Sequence, residues 1–150
     1  MRVWRLCAAR HADLSGKGGL VVAGRWHNLG TPILYAASNA ALAVLEKRVH
    51  TLQNPDDLVL LGIECPDELV VPVEPLYGLP KNWEDDLDAT RAIGDRWLSE
   101  NRSLGLSVPS VLVPEGRNIL LNPRHRDCGK ASIAGVGRFR FDKRLFLQQA

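Results

Sequence analysis

Three residues in one stretch, Gly24–His50, carry side chains suited to holding and activating a polar ligand: Arg25, Tyr35 and Glu46. A guanidinium pairs with anions through parallel hydrogen bonds, a phenol stacks on flat groups or hydrogen-bonds at its tip, and a carboxylate opposes developing positive charge. Glu46 is the most informative of them. In a helix beginning at Ser38, the period of 3.6 sets Leu42, Leu45 and Val49 on one face and Asn39, Ala43, Lys47 and His50 on the other. Glu46 falls with the first set, four residues after Leu42 and three before Val49. Its carboxylate must therefore be desolvated, paired with a cation or open to a cleft. A structural ion pair, with Arg5 for instance, and a functional carboxylate both satisfy that condition.

The elements around these residues are short. Gly24-Arg25-Trp26-His27 reads as a strand with Arg25 and His27 facing one way and Trp26 the other. Asn28-Leu29-Gly30-Thr31-Pro32 carries turn residues, and Ile33–Ala36 resumes as a strand with Tyr35 near its end. Ser38 is the expected helix cap, without a capping box because position 41 is alanine. Upstream, Val3–Leu6 alternates as a strand with Val3 and Arg5 on one face. His11–Gly19 then reads as a mobile loop, whose Ser15-Gly16-Lys17-Gly18-Gly19 lacks the residue order of a phosphate loop.

Downstream, Leu58–Cys65 and Leu69–Val73 are β-rich, and Pro72 confines the second to an edge or irregular strand. Pro75–Asp86 reads as a surface loop and Asp88–Asn101 as a helix with Ala89, Ala92, Ile93, Trp97 and Leu98 on its apolar face. Gly94 weakens that helix by ~1 kcal/mol relative to alanine. Val108–Val113 and Asn118–Leu121 form a hairpin around Glu115-Gly116, Arg138–Phe141 is a strand, and Asp142–Leu147 is at most a short helix. Many short strands with two inserted helices define an α+β fold, a single compact domain of mostly antiparallel strands. A doubly wound nucleotide fold is disfavoured, since Gly135-Val136-Gly137 is only a partial fingerprint with no helix after it.

Composition narrows the class. With 150 residues, 45% of them hydrophobic and 24% charged, the chain suits one soluble globular domain. A net charge of +2 is too small and dispersed for a nucleic-acid surface. The N-terminus lacks a signal-peptide pattern and no apolar run approaches a membrane span, so a cytoplasmic location is expected. Cys7, Cys65 and Cys128 are widely spaced and odd in number, which fits reduced thiols. His11, His27, His50 and His125 have no metal-ligand spacing, and no metal is expected.

Gly24-Arg25-Trp26-His27-Asn28, Leu34-Tyr35-Ala36, Leu42-Ala43-x-Leu45-Glu46, Val108-Pro109-Ser110-Val111 and Asn122-Pro123-x-His125 together resemble the RES domain, over almost the whole chain. The chain departs from the family pattern at Ala23, where a second glycine usually stands, and at Asn28, which His27 displaces by one place. The resemblance implies one RES domain over residues 1–150, an ADP-ribosyltransferase-like fold, and a type II toxin of RES–Xre kind that degrades NAD. By position, Arg25, Tyr35, Glu46 and Ser110 match the family arginine, tyrosine, glutamate and serine, Arg5 matches a first-strand arginine, and Ser107 is the alternative serine. On that resemblance Arg25 and Arg5 anchor the diphosphate or nicotinamide ribose, Tyr35 stacks on nicotinamide or orients the ribose, Glu46 stabilises oxocarbenium charge, and Ser110 hydrogen-bonds the substrate. NAD is then a substrate with no further cofactor, and inorganic phosphate is a candidate co-substrate alongside water. The implied partner is an Xre-type antitoxin in an oligomeric complex, covering the cleft around Arg25 and the Ser15–Gly19 loop. Protein ADP-ribosylation and nucleotide binding without turnover are the alternative readings.

Overall fold

The computed structural model describes residues 1–147. The strands β1 (Arg2–Ala8), β2 (Leu34–Ala37), β3 (Leu58–Glu64), β4 (Val70–Pro72), β5 (Gly105–Pro109), β6 (Arg117–Leu121) and β7 (Ser132–Phe139) form one seven-stranded sheet, ordered β4-β5-β6-β2-β1-β3-β7. Every pairing is antiparallel except β4 with β5. The helices are α1 (Ala40–Val49), α2 (Val73–Tyr77) and α3 (Leu87–Glu100). The expected α+β architecture is thus what the chain adopts, with Pro72 on an edge strand.

Register assigns each side chain to a face, because directly opposed residues point the same way. Trp4 opposes Ala37, Tyr35 opposes Leu120, Ala37 opposes Asn118, and Val108 also opposes Asn118. These residues share the face on which α1 and α3 pack: Leu42 and Ala43 meet Ala37 and Trp4, while Trp97 and Leu98 meet Leu106, Val108, Leu120 and Trp26. The opposite face holds Val3, Cys7, Leu34, Ala36, Leu61, Ile63, Ile119 and Leu121, covered by Ala12, Leu14 and Leu104. Trp26 and Trp97 are 2% and 0% exposed. Burying an aromatic of that size contributes on the order of 5 kcal/mol gross.

Several local expectations change. Gly24–His27 is a tight turn closed by the Gly24 N–H on the His27 carbonyl (3.1 Å), not a strand, and it buries Trp26 and His27 together. The α1 cap is Asn39, whose side chain accepts the Leu42 N–H at 2.8 Å, instead of Ser38. The helix meets the sheet through Leu42 and Ala43, so Leu45 (39% exposed) and Val49 (50%) turn to solvent, while Glu46, a turn beyond Leu42, stays partly buried. The helix lies over β1 more than β2: Leu42 and Ala43 meet Trp4 and Leu60 as well as Ala37, and Val44 packs against the cluster of Leu6, Leu58 and Phe141.

The Ser15–Gly19 loop is packed instead of mobile. The Gly16 carbonyl accepts from the Ile33 and Gly19 N–H groups, the Gly30 N–H donates to the Gly19 carbonyl, and a Cβ on Gly19 would lie 2.4 Å from the Thr31 oxygen. The expected loop at Pro75–Asp86 begins inside α2 and includes a 3-10 turn at Trp83–Asp85. The strand leading to the hairpin ends at Pro109, before Ser110, and the strand expected at Arg138 starts six residues earlier, at Ser132. Gly94 has a packing role: α3 lies so close to the Gly24–His27 turn that a Cβ there would fall 1.6 Å from the Trp26 oxygen.

Candidate active site

Tyr35 and Asn118, both partly buried, lie on the sheet face between α1 on one side and the Gly24–His27 turn, backed by α3, on the other, and the space over them is the candidate groove. Tyr35 and Ala37 are alternate residues of β2, so the Glu46 wall and the Arg25 wall stand over neighbouring positions of one face.

On the α1 wall the carboxylate of Glu46 is gripped at one oxygen. Ser110 Oγ donates to Oε1 at 2.9 Å and Asn118 Nδ2 donates to the same oxygen at 2.7 Å. The serine hydroxyl also accepts the Leu112 and Val113 N–H groups at 3.1 and 3.3 Å. Those bonds occupy its lone pairs and leave its proton for the carboxylate. Among the described residues no donor reaches Oε2 and no cation pairs with Glu46. One carboxylate oxygen is therefore fixed and the other is left for a ligand.

The opposite wall is fixed through its backbone. The buried Thr90 hydroxyl donates to the Arg25 carbonyl at 2.7 Å, Arg91 Nε donates to the Gly24 carbonyl at 2.8 Å, and Asp95 accepts the Asn28 N–H and side-chain amide at 3.0 and 2.7 Å. The Arg25 guanidinium spends one donor on the Glu84 carbonyl (3.0 Å) and sits 6.0 Å from the centre of the Trp83 ring, at the outer limit of a cation–π contact. It has no carboxylate partner among the described residues, so most of its fork is free for an anion.

Tyr35 ties the floor to that wall. Its hydroxyl accepts the Trp26 N–H at 3.2 Å and lies 2.8 Å from His27 Nδ1, which also accepts the Gly24 N–H at 3.2 Å. With two donors converging on Nδ1, His27 is neutral and carries its proton on Nε2. Nε2 is buried and has no partner in full hydrogen-bonding geometry among the described residues, with the Gly19 and Val22 main chains beside it. Burial holds the imidazole below its ordinary range, an effect only partly offset by the Gly19 carbonyl and the Asp95 carboxylate. Burial likewise pushes the Tyr35 phenol well above its usual range, so it serves as a neutral donor. Gly24 is required here, because a Cβ would lie 2.4 Å from the Tyr35 hydroxyl.

Of the residues singled out from sequence, Glu46 and Ser110 are hydrogen-bonded to each other on the α1 side, and Tyr35 bonds the turn that carries Arg25 on the other side of the same sheet face. Arg5 opposes Leu61, on the far face of the sheet from Glu46, and gives NH1 to the Tyr35 main-chain carbonyl at 3.1 Å, its Nε buried without a partner among the described residues. An Arg5–Glu46 ion pair is thereby ruled out. Ser107 also faces away, its hydroxyl accepting Arg117 Nε at 2.9 Å, which leaves Ser110 as the serine beside Glu46. His125 is a buried structural residue whose Nδ1 accepts the Asp127 N–H at 3.1 Å. Asn118, Thr90 and Arg91 are not singled out from sequence, where His27 reads only as a neighbour of Arg25 on the same strand face. Only Asn118 left a signal there, a polar residue two places before Leu120 on an inward face.

With this geometry in hand, comparison with known proteins places the chain in a family. The RES domain model matches residues 2–142, and the chain belongs to that family. It is 43% identical over 150 residues to "Toxin Res" of Pseudomonas putida, covering 97% of this chain and 100% of that one. It is 38% identical over 139 residues to the "Prs ADP-ribosylating toxin" of a Sphingobium species, covering 89% and 86%. Among solved structures, a chain of the M. tuberculosis MbcT–MbcA toxin–antitoxin complex superposes with a TM-score of 0.75 over 97% of this chain and 86% of its own length. At 19% identity that likeness speaks for the fold. No helix among the described residues is long and apolar enough to cross a membrane.

Proposed function

We propose that the chain is the toxin of a toxin–antitoxin pair and that it cleaves NAD at the nicotinamide–ribose bond. The observation that carries the reading is Glu46, held at Oε1 by Ser110 and Asn118 with no donor on Oε2, on a groove whose other wall presents an arginine without an ion-pair partner, both among the described residues. Family membership and relatives named as toxins support it. Arg25 takes the diphosphate of the dinucleotide through charge-assisted hydrogen bonds. The aromatic ring of Tyr35 forms part of the floor on which nicotinamide and its ribose lie.

In the reaction the C1″–N bond breaks, nicotinamide leaves as a neutral base with the bonding pair, and the ribose carbon takes on oxocarbenium character. The free oxygen of Glu46 opposes that charge and accepts hydrogen bonds from the ribose hydroxyls, which strengthen as the charge develops. Water adds its oxygen to C1″ and releases one proton to solvent, giving ADP-ribose; phosphate adds in the same way to give ADP-ribose 1″-phosphate. Arg5 enters only through Tyr35, by holding the β2 main chain.

A second reading, transfer of ADP-ribose to a protein, follows from the relative named as ADP-ribosylating. The partner in either reading is an antitoxin, in keeping with the fold's likeness to a chain of a toxin–antitoxin complex; an Xre type that occludes the groove in an oligomeric complex is what the RES resemblance implies. Chromatography with mass detection of NAD incubations, with and without phosphate, separates the readings. Free ADP-ribose or its phosphate is expected; label carried from NAD onto protein would move the assignment to the transferase, and binding without nicotinamide release would leave a non-catalytic module.

A further inference from the structure

The function proposed above rests on Glu46, and the structure says what aims it. Two donors converge on one carboxylate oxygen from different elements: Ser110 from the hairpin turn and Asn118 from the start of β6. Ser110 has alternative bonds to satisfy it, since its hydroxyl also takes two turn N–H groups. Asn118 has none. Its Oδ1 is buried and has no hydrogen-bond partner among the described residues, while its Nδ2 reaches Glu46 at 2.7 Å. The reverse orientation of the amide would set carbonyl oxygen against carboxylate, so the carboxylate dictates which way the group lies, and a buried acceptor is left unpaired as the consequence.

A polar group kept in an unsatisfied arrangement is disfavoured for folding, and such arrangements concentrate where geometry serves function. The strand itself does not ask for asparagine. Asn118 opposes Ala37 and Val108 on a face whose next inward residue is Leu120, so a leucine there would continue the apolar pattern. What leucine could not do is hold Oε1.

We propose that Asn118 is a positioning residue for Glu46: its amide fixes the carboxylate by Oε1 and so turns Oε2 toward the ribose of the bound dinucleotide. Ser110 braces the same oxygen from the side, and together they restrict the long Glu46 side chain to one rotamer before substrate arrives. The assignment is of a residue acting through another, with no contact to the reacting atoms.

The test is a double-mutant cycle on nicotinamide release, with thermal unfolding measured on every variant. Asn118→Leu, close in size and free of the orphaned acceptor, is expected to unfold at or above the wild-type temperature. Its kcat should nonetheless fall about ten- to a hundredfold, as for other residues that orient a reacting group, with KM changed by less than about threefold. Asn118→Ala should show the same kinetic loss. In a Glu46→Gln background Asn118→Leu should add nothing further, because the group it positions has lost its charge. Independent, multiplying losses, or an Asn118→Leu enzyme as fast as wild type, would overturn the role while leaving the function intact. A wild-type protein that binds NAD but releases no nicotinamide would overturn the functional reading and this assignment with it.

Discussion

The two walls of the groove hold their charged residues by opposite means. Arg25 is fixed through its main chain: Thr90, Arg91 and Asp95 of α3 bind the turn around it, and its own guanidinium touches only a carbonyl and the edge of a cation–π contact. Glu46 is fixed through its functional atoms, by two hydrogen bonds to one carboxylate oxygen, on a helix whose outer residues Leu45 and Val49 face solvent. The arginine wall is therefore a matter of folding, sensitive to packing far from the ligand. The glutamate wall is a matter of local polarity, and changes there should alter chemistry with little effect on stability.

The sharpest contrast comes from Gly94. Alanine there would place its Cβ 1.6 Å from the Trp26 carbonyl oxygen, so α3 and the turn must separate. Gly94→Ala is expected to destabilise the protein by about 3 kcal/mol, at the upper end of overpacking effects, which denaturant titration would read directly. The same substitution in an exposed helix would be stabilising. An intact stability would break the claim that the arginine wall is held by close backbone approach.

A smaller loss follows at Thr90, which is fully buried and donates to the Arg25 carbonyl. Thr90→Val keeps the shape and leaves that carbonyl unpaired, so a loss of about 1–2 kcal/mol is expected, together with a raised KM for NAD and a nearly unchanged kcat. A change confined to kcat would show that the turn does more than present Arg25.

The mildest effect is one of pH. Burial lowers the folded-state affinity of His27 for a proton below the ordinary value of 6.5. The unfolded chain therefore binds the proton first: the contribution is complete above 6.5 and is lost as pH falls from there toward the folded value. Protonation also puts a hydrogen on Nδ1, against the donors from Gly24 and Tyr35. Unfolding temperature should decline as pH falls below 6.5, and His27→Gln should flatten the decline. An equal slope in both proteins would remove His27 as its source.

Much of this arrangement could be read from the chain and some could not. The strand-rich order and the lone edge proline set the class of fold, because alternation and proline chemistry are local. Glu46 was identifiable because a carboxylate beside Leu42 in a helix conflicts with burial. The mistaken burial of Leu45 and Val49 has a physical cause: periodicity marks which residues share a face, while the side chains the sheet presents, Trp4, Ala37 and Leu60, decide which part of the helix meets it. Gly94 read as a helix defect, since nothing local reveals that a turn far earlier in the chain needs the space. Asn118 and Thr90 likewise acquire their roles from partners distant in sequence. Arg5 shares a strand with inward residues, but only the pairing with Leu61 tells which side of the sheet it faces.

The proposed chemistry turns on Glu46, and the most direct test is the rate of nicotinamide release by Glu46→Gln beside wild type, with thermal unfolding of both. The substituted amide would retain an oxygen for Ser110 and Asn118 and lose the charge. A fall of about a hundred- to a thousandfold in kcat, with the unfolding temperature kept, is the expected result. A variant that releases nicotinamide as fast as wild type would contradict it and return Glu46 to the role of a buried structural carboxylate.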